Sequence, residues 1–218
     1  MYSYIARQPI LNCEQELVAY ELLFRDGDSN CFPNVSADHA TSSILTNNHL
    51  TLGLGEITGE HTAYINFHAN ALIQKLPSFL DPKTVVIEIL EDVAICDELV
   101  AACKQLKEIG YTLALDDHDF DPKWEVFLPY VDIIKIDILP YTMVEISRFV
   151  RQLAKYNVTL LAEKVETIQQ FEQLKLLGFT LFQGYFFSKP EMVKTKNLSP
   201  SQIAMAELLY ETSKTELD

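Results

Sequence analysis

Leu113-Ala114-Leu115-Asp116-Asp117 sets two adjacent carboxylates at the end of an apolar run. Side chains alternate along a strand, but where the strand ends and the chain turns, neighbours can face the same mouth. Two acids placed there repel each other unless a cation sits between them. Taken alone, the pair is better explained as a helix N-cap and a first-turn acid. The same layout recurs, however, at the ends of other apolar runs. Glu21 stands in YELLFR, Asn66 in YINFH, Glu88 and Glu91 in IEILED, Lys135 in IKID, Glu163 and Glu166 in AEKVE, and Gln183 in FQGY. Each has an ordinary account of its own. Glu21 and Glu88 fit solvent-facing strand positions, Asn66 a turn, Lys135 an outward-snorkelling cation, and Glu163 and Glu166 first-turn helix acids. A carboxylate inside VVIEIL is nonetheless an unusual place for an idle charge. Jointly the set describes a site. Hard oxygen donors of this kind suit Mg²⁺ or Mn²⁺ rather than zinc. A bridging carboxylate such as Asp116 could hold two such ions about 4 Å apart, the arrangement used for in-line phosphodiester hydrolysis.

Other chemistries find less support. His61 and His68 have no matching acid spacing, His39 and His49 read as residues of a surface helix, and His118 is either a site residue or a loop residue. There is no GxSxG elbow and no Cys/His nucleophile arrangement. Gly53–Gly59 reads as a turn region and does not match GxGxxG.

These groups need a scaffold, and the chain has the length for one. Its 218 residues, 48% hydrophobic and 22% charged, describe an ordinary globular domain with a substantial core. The net charge of −14 argues against binding a nucleic-acid duplex, which needs basic surface. A phosphate ester would have to be drawn in by metal cations and a few placed basic residues. No apolar run approaches the roughly 20 residues of a membrane span. The N-terminus lacks a signal-peptide layout. Cys13, Cys31, Cys96 and Cys103 show neither CxxC nor zinc spacing, so reduced thiols and a cytoplasmic location are expected. Cys103 lies on an apolar helix stripe and reads as a core residue.

Taken in order, Tyr4–Leu11 and Val18–Phe24 form a hairpin across the short turn Asn12–Glu16. A loop, Asp26–Asn34, and a helix, about Ala37–Leu52, follow. Then a rhythm of strands and helices sets in. Strands are expected at Ala63–Phe67, Thr84–Leu90, Tyr111–Leu115, Val131–Ile136, Val158–Ala162 and, last, Phe179–Phe182. Helices are expected at Ala69–Lys75, Asp97–Ile109, Tyr141–Tyr156 and Thr167–Leu177, the last opened by a Thr167/Gln170 capping box and closed by Gly178. Helix–Gly–strand occurs twice, as in repeating β/α units. Eight strands fit an α/β fold, a (β/α)8 TIM-like barrel whose opening hairpin makes the first strand antiparallel; a doubly wound open sheet is the alternative. Ser199–Gln202 opens a final helix.

The segments, in this order, resemble the EAL domain of cyclic di-GMP phosphodiesterases. Glu21-Leu22-Leu23-Phe24-Arg25 corresponds to the signature Glu-Ala-Leu-x-Arg. RQPI, YELLFR, AEKVET and FQGYFFSKP resemble most the subfamily in which an EAL domain precedes an HDOD domain. The resemblance implies an EAL barrel over residues 1–198, with 199–218 as the joint to an HDOD domain in a longer parent protein. It implies metal-dependent opening of cyclic di-GMP to linear pGpG in bacterial second-messenger signalling, with two Mg²⁺ or Mn²⁺ ions and inhibition by Ca²⁺. Carried over by position, Glu21, Asn66, Glu88 and Asp116 hold the first ion, and Asp116, Asp117 and Glu163 the second. Lys135 positions and activates the attacking water, with Glu163, Glu166 and Gln183 in support. Arg25, Gln8, Leu23 and Asp137 contact the substrate, and Glu91 ties down the loop after Asp117.

The chain departs from the family pattern in two places. The Asp pair continues as His118-Asp119-Phe120-Asp121-Pro122, where the family has glycines, in a loop that normally serves the second metal and a homodimer. Lys164 also replaces a glycine, setting a cation beside the site. An active phosphodiesterase is the first expectation, a cyclic di-GMP receptor without turnover the second, and an interaction module with a vestigial site the third.

Overall fold

The structure, a computed structural model, describes residues 2–23 and 54–196. The expected Asp26–Asn34 loop, the 37–52 helix, Arg25 and the final helix lie outside those residues.

Strands β1 (Tyr2–Leu11) and β2 (Leu17–Leu23) form the expected antiparallel hairpin. Its turn is set by Asn12, whose side-chain oxygen accepts from the backbone amides of Glu14 and Glu16, an Asx-type turn. The chain then lays down β3 (Thr62–Phe67), β4 (Val85–Ile89), β5 (Thr112–Leu115), β6 (Ile133–Asp137), β7 (Thr159–Glu163) and β8 (Leu181–Phe182), each parallel to the one before. β1 pairs antiparallel with both β2 and β8 and so closes the ring. Closure excludes the open doubly wound sheet.

Helices α1 (Ala69–Ile73), α2 (Asp97–Ile109), α3 (Met143–Leu153) and α4 (Ile168–Leu177) fill connections between the strands. α2 buries Leu99, Ala102, Cys103 and Leu106 on one stripe. α3 and α4 both open with reciprocal capping boxes, Thr142/Glu145 and Thr167/Gln170. α2 and α4 both end at a glycine in the left-handed region, Gly110 and Gly178, where a Cβ would be strained.

Two expectations needed correction. Residues 54–58, read as a turn because glycines flank them, are helical, since Leu54 and Ile57 are both buried in the core. Phe179–Phe182 is not the last strand: β9 (Glu191–Lys196) follows and pairs antiparallel with Tyr2–Arg7 of β1. It runs along the same edge of β1 that β8 meets at Leu11.

The barrel's two faces follow the strand period. Ile10, Ala19, Tyr64, Val86, Ala114, Ile133 and Leu161 form one buried cluster, and it is the interior layer. The alternate positions, among them Leu22, Ile65, Ile87, Leu113, Ile134 and Ala162, join the larger core under the helices. Two residues beyond each interior apolar residue of β2 to β7 comes Glu21, Asn66, Glu88, Asp116, Lys135 and Glu163. Side chains two apart face the same way. One register therefore packs the barrel and loads its C-terminal mouth with polar groups.

Gly184, just after β8, is where the backbone has no room to spare. A Cβ there would lie 2.2 Å from both the nitrogen and the oxygen of Val165, and its φ is +153°. Gly184→Ala is expected to cost about 2 kcal/mol or more through forced backbone movement. For a chain of this size that lowers Tm by roughly 4–8 °C, measurable by thermal unfolding followed by circular dichroism.

Candidate active site

Lys135 is the centre of the mouth. It is fully buried, 0% exposed. Its Nζ lies 2.6 Å from Glu88 Oε1, 2.6 Å from Asp116 Oδ1, 3.1 Å from Glu163 Oε1 and 3.6 Å from Glu21 Oε1. Glu88 is likewise 0% exposed. Four strands, β2, β4, β7 and the end of β5, thus present carboxylates to one ammonium on β6. Glu21 is oriented further by Gln183 Nε2, which donates to its Oε2 at 2.5 Å, and by Asn66 Nδ2, which donates to its Oε1 at 3.3 Å.

One positive charge cannot neutralise four negative ones. Burial, with Lys135 opposing it and Glu21 and Asp116 adding to it, drives the Glu88 carboxyl well above the usual range. Burial does the same to Glu163, again against Lys135 and helped by Asp116, Glu21 and Asp117. Burial works against the Lys135 ammonium, but the surrounding Asp116, Glu163, Glu21 and Glu88 outweigh it and raise its pKa. Glu88 Oε2, and single oxygens of Asn66, Asp117, Glu163 and Gln183, are buried with neither a hydrogen-bond nor an ion-pair partner. Buried polar atoms are rarely left so. These orphaned oxygens are hard donors, the chemistry that Mg²⁺ and Mn²⁺ take. The donor set fits divalent cations. Its arrangement is a carboxylate ring closed on an ammonium, and no three Asp, Glu, His or Cys side chains among the described residues form a ready cage.

A second cation stands nearer the surface. Lys164 follows Glu163 with φ +57° and pairs with Asp137 directly and with Asp117 Oδ2 at 3.6 Å. Asp137 also caps the turn after β6, accepting from the amide of Leu139. The mouth opens into a cleft of about 400 Å³ whose lining includes Gln8, Leu23, Glu166 and Tyr185 with the carboxylates of Glu21, Asp116, Asp117 and Glu163. Gln8 Nε2 donates to the Ser188 carbonyl, and Glu166 is exposed with its amide held by Gln170 Oε1. Glu91 lies in the exposed turn after β4; partial burial, with Asp116, Asp117 and Asp92 nearby, raises its pKa. Tyr185 and Leu139 line the cleft in addition to the residues that the sequence motifs point to. Tyr185 is 60% exposed at the rim, and its one signal was an aromatic directly after Gln183-Gly184.

His118 does not join the mouth. Its backbone amide donates to the Lys135 carbonyl at 3.0 Å, while its buried ring packs edge-on to Phe120 and Trp124. Burial lowers its pKa to about 4, so it is neutral at pH 7.

The raised carboxyls carry a consequence for stability. A carboxyl whose folded pKa lies above its unfolded value stabilises fully below the unfolded value, near about 4.3 for Glu, and loses that contribution as pH rises through the folded pKa. In a chelating buffer, Glu163→Gln removes one such group. The Tm difference between variant and wild type is expected to grow in the variant's favour from pH 5 to pH 9. Thermal melts across that range check it, and a pH-independent difference would contradict the charge balance described.

The EAL domain profile matches residues 62–190. The cyclic di-GMP phosphodiesterase CdgJ of Vibrio cholerae is 45% identical over all of this chain, which spans 51% of CdgJ. Protein YuxH of Bacillus subtilis is 39% identical over 99% of the chain and 54% of its own length. The chain therefore spans about half the length of the curated relatives it matches. Among solved structures, the manganese and cyclic di-GMP complex of Klebsiella pneumoniae BlrP1 superposes with a TM-score of 0.65 at 23% identity, covering 89% of this chain and 60% of that one.

Proposed function

From the premise that this chain belongs to the EAL domain family, we propose that it hydrolyses one phosphodiester of cyclic di-GMP to linear pGpG. The observation that carries the reading is the ring of Glu21, Glu88, Asp116 and Glu163 around Lys135, with hard oxygen donors left unpartnered beside it. The name of CdgJ and the nucleotide and manganese in the BlrP1 complex support the substrate and the type of metal.

Glu21, Asn66, Glu88 and Asp116 would hold a first divalent ion, and Asp116, Asp117 and Glu163 a second. Such ions supply a nucleophilic water near neutral pH and offset charge on the transferring phosphoryl group. The chain's own residues do the rest. Lys135 keeps a charged ammonium at the centre of the ring, where it orients the carboxylates and draws in the attacking water. Gln183 and Asn66 fix the rotamer of Glu21 through its two oxygens. Glu166 lines the cleft beside Glu163 and supports the water. Gln8, Leu23 and Asp137 shape the substrate end, and Arg25 supplies a guanidinium fork suited to a phosphate. Glu91, beside the Asp pair, steadies the loop that follows it. A C-terminal HDOD domain, a homodimer contact through the 118–122 loop and a cytoplasmic setting complete the proposal.

One observation favours a second reading, a cyclic di-GMP receptor that binds without turnover: the loop after Asp117 carries Asp119, Asp121 and Pro122 and is held by Phe120 stacked on Phe149 and by Asp119 on Trp124. Turnover separates the two. With Mg²⁺ or Mn²⁺ the purified chain is expected to convert cyclic di-GMP to pGpG, resolved by chromatography, and Ca²⁺ is expected to support binding without product. Glu21→Ala is expected to lower the rate at least about 100-fold, since even outer residues of metal sites cost 10–100-fold. Calorimetric binding without pGpG in any metal would make the chain a receptor.

A further inference from the structure

Lys164 is held where a side chain is costly and a cation is useful. Its φ of +57° lies in the left-handed region that residues with a Cβ avoid. That conformation turns its stem back across the ends of β5 and β6, into contact with Asp137 and 3.6 Å from Asp117 Oδ2. Glu163 is its immediate neighbour on β7. Asp117 is itself at φ +38°, and its other oxygen is buried without a partner. Lys164 differs from Lys135 in one decisive respect. Its side chain is 47% exposed and that of Lys135 0%, so the outer ammonium can leave its partners for water and the inner one cannot.

We propose that Lys164 is a positioning residue that acts as a tethered counter-ion to Asp117, competing with the outer divalent cation for that carboxylate. This rests on the reading that Asp116, Asp117 and Glu163 hold a second ion. In the ion-free state the ammonium keeps Asp117 and Asp137 from repelling each other across adjacent strand ends. Loading the outer site then requires Lys164 to give up Asp117, which weakens that site relative to one built from the same acids alone. The inner site, closed around Lys135, is not affected by Lys164.

Calorimetric Mn²⁺ titration of the full 218-residue chain, without nucleotide, tests this. Lys164→Met keeps the stem and removes the charge. It is expected to tighten the weaker Mn²⁺ event by about three- to tenfold, the scale of a partly exposed ion pair facing a divalent competitor. A second Mn²⁺ event that is present only in the variant supports the proposal equally. Lys164→Arg retains the charge and is expected to stay within about twofold of wild type, and in an Asp117→Asn background Lys164→Met is expected to change little, as a double-mutant cycle requires. Thermal melts in chelator show that each variant is folded. Unchanged or weaker Mn²⁺ binding by Lys164→Met overturns the proposal. Tighter binding by that variant in a chain that makes no pGpG overturns the phosphodiesterase reading and leaves this one standing. If neither protein binds Mn²⁺, both fall together.

Discussion

The barrel's mouth is organised around one ammonium placed among four carboxylates. Lys135 and Glu88 are removed from water altogether. Breaking such a pair by deleting one partner is far more costly than never having built it. The ring is therefore weak evidence of stability and strong evidence of purpose. Among the described residues, Asn66 and Gln183 are committed to orienting Glu21, and His118 donates its amide to the Lys135 carbonyl. Much of the mouth is arranged around keeping these charges in place.

The barrel makes this arrangement accessible through its strand period. Parallel neighbours are staggered, so Glu21 is level with Tyr64 while Asn66 is level with Glu88, and Glu88 with Ala114. Polar positions from successive strands thus climb around the mouth while staying on the interior face. An apolar layer lies beneath them, from Ile10 to Leu161. It excludes water from below, which strengthens every charge interaction above it.

Period and punctuation made most of this legible in the sequence. The apolar runs ending in acids gave the strands and the mouth, and Gly110 and Gly178 gave the helix ends. Less was legible where partners are distant. β9 reads as EMVKTK, a weakly apolar segment just after a proline, and its pairing partner is at the opposite end of the described chain. Residues 54–58 contain Gly55 and are flanked by Gly53 and Gly59, which suggests a turn, while burial of Leu54 and Ile57 decides for helix. Lys135 is visibly odd inside IIKID, but its four partners come from four other strands or strand ends, and only the stagger brings them to one atom. The same holds for Lys164, whose partners are Asp117 and Asp137.

The loop after the Asp pair shows how a sequence without glycines can hold a conformation that glycines usually supply. Asp117 and Phe120 both have positive φ, +38° and +62°. For a bulky residue such as Phe120 this is strained, and the surroundings compensate. Its ring stacks on Phe149 of α3 at 3.6 Å and 9°, and His118 and Tyr141 meet it edge-on. The Asp119 carboxylate accepts from Trp124 Nε1 at 2.8 Å and from the Asp121 amide, and Asp121 in turn caps the short helical turn Pro122–Val126. Aromatic packing and carboxylate caps thus replace backbone freedom. Because His118 is tied to the carbonyl of Lys135, the loop is fixed to the strand that carries the central cation. Asp117 enters this loop from β5 as a defined group. Its carboxylate meets Lys164 from a backbone fixed on both sides, by β5 before it and by the His118 amide after it.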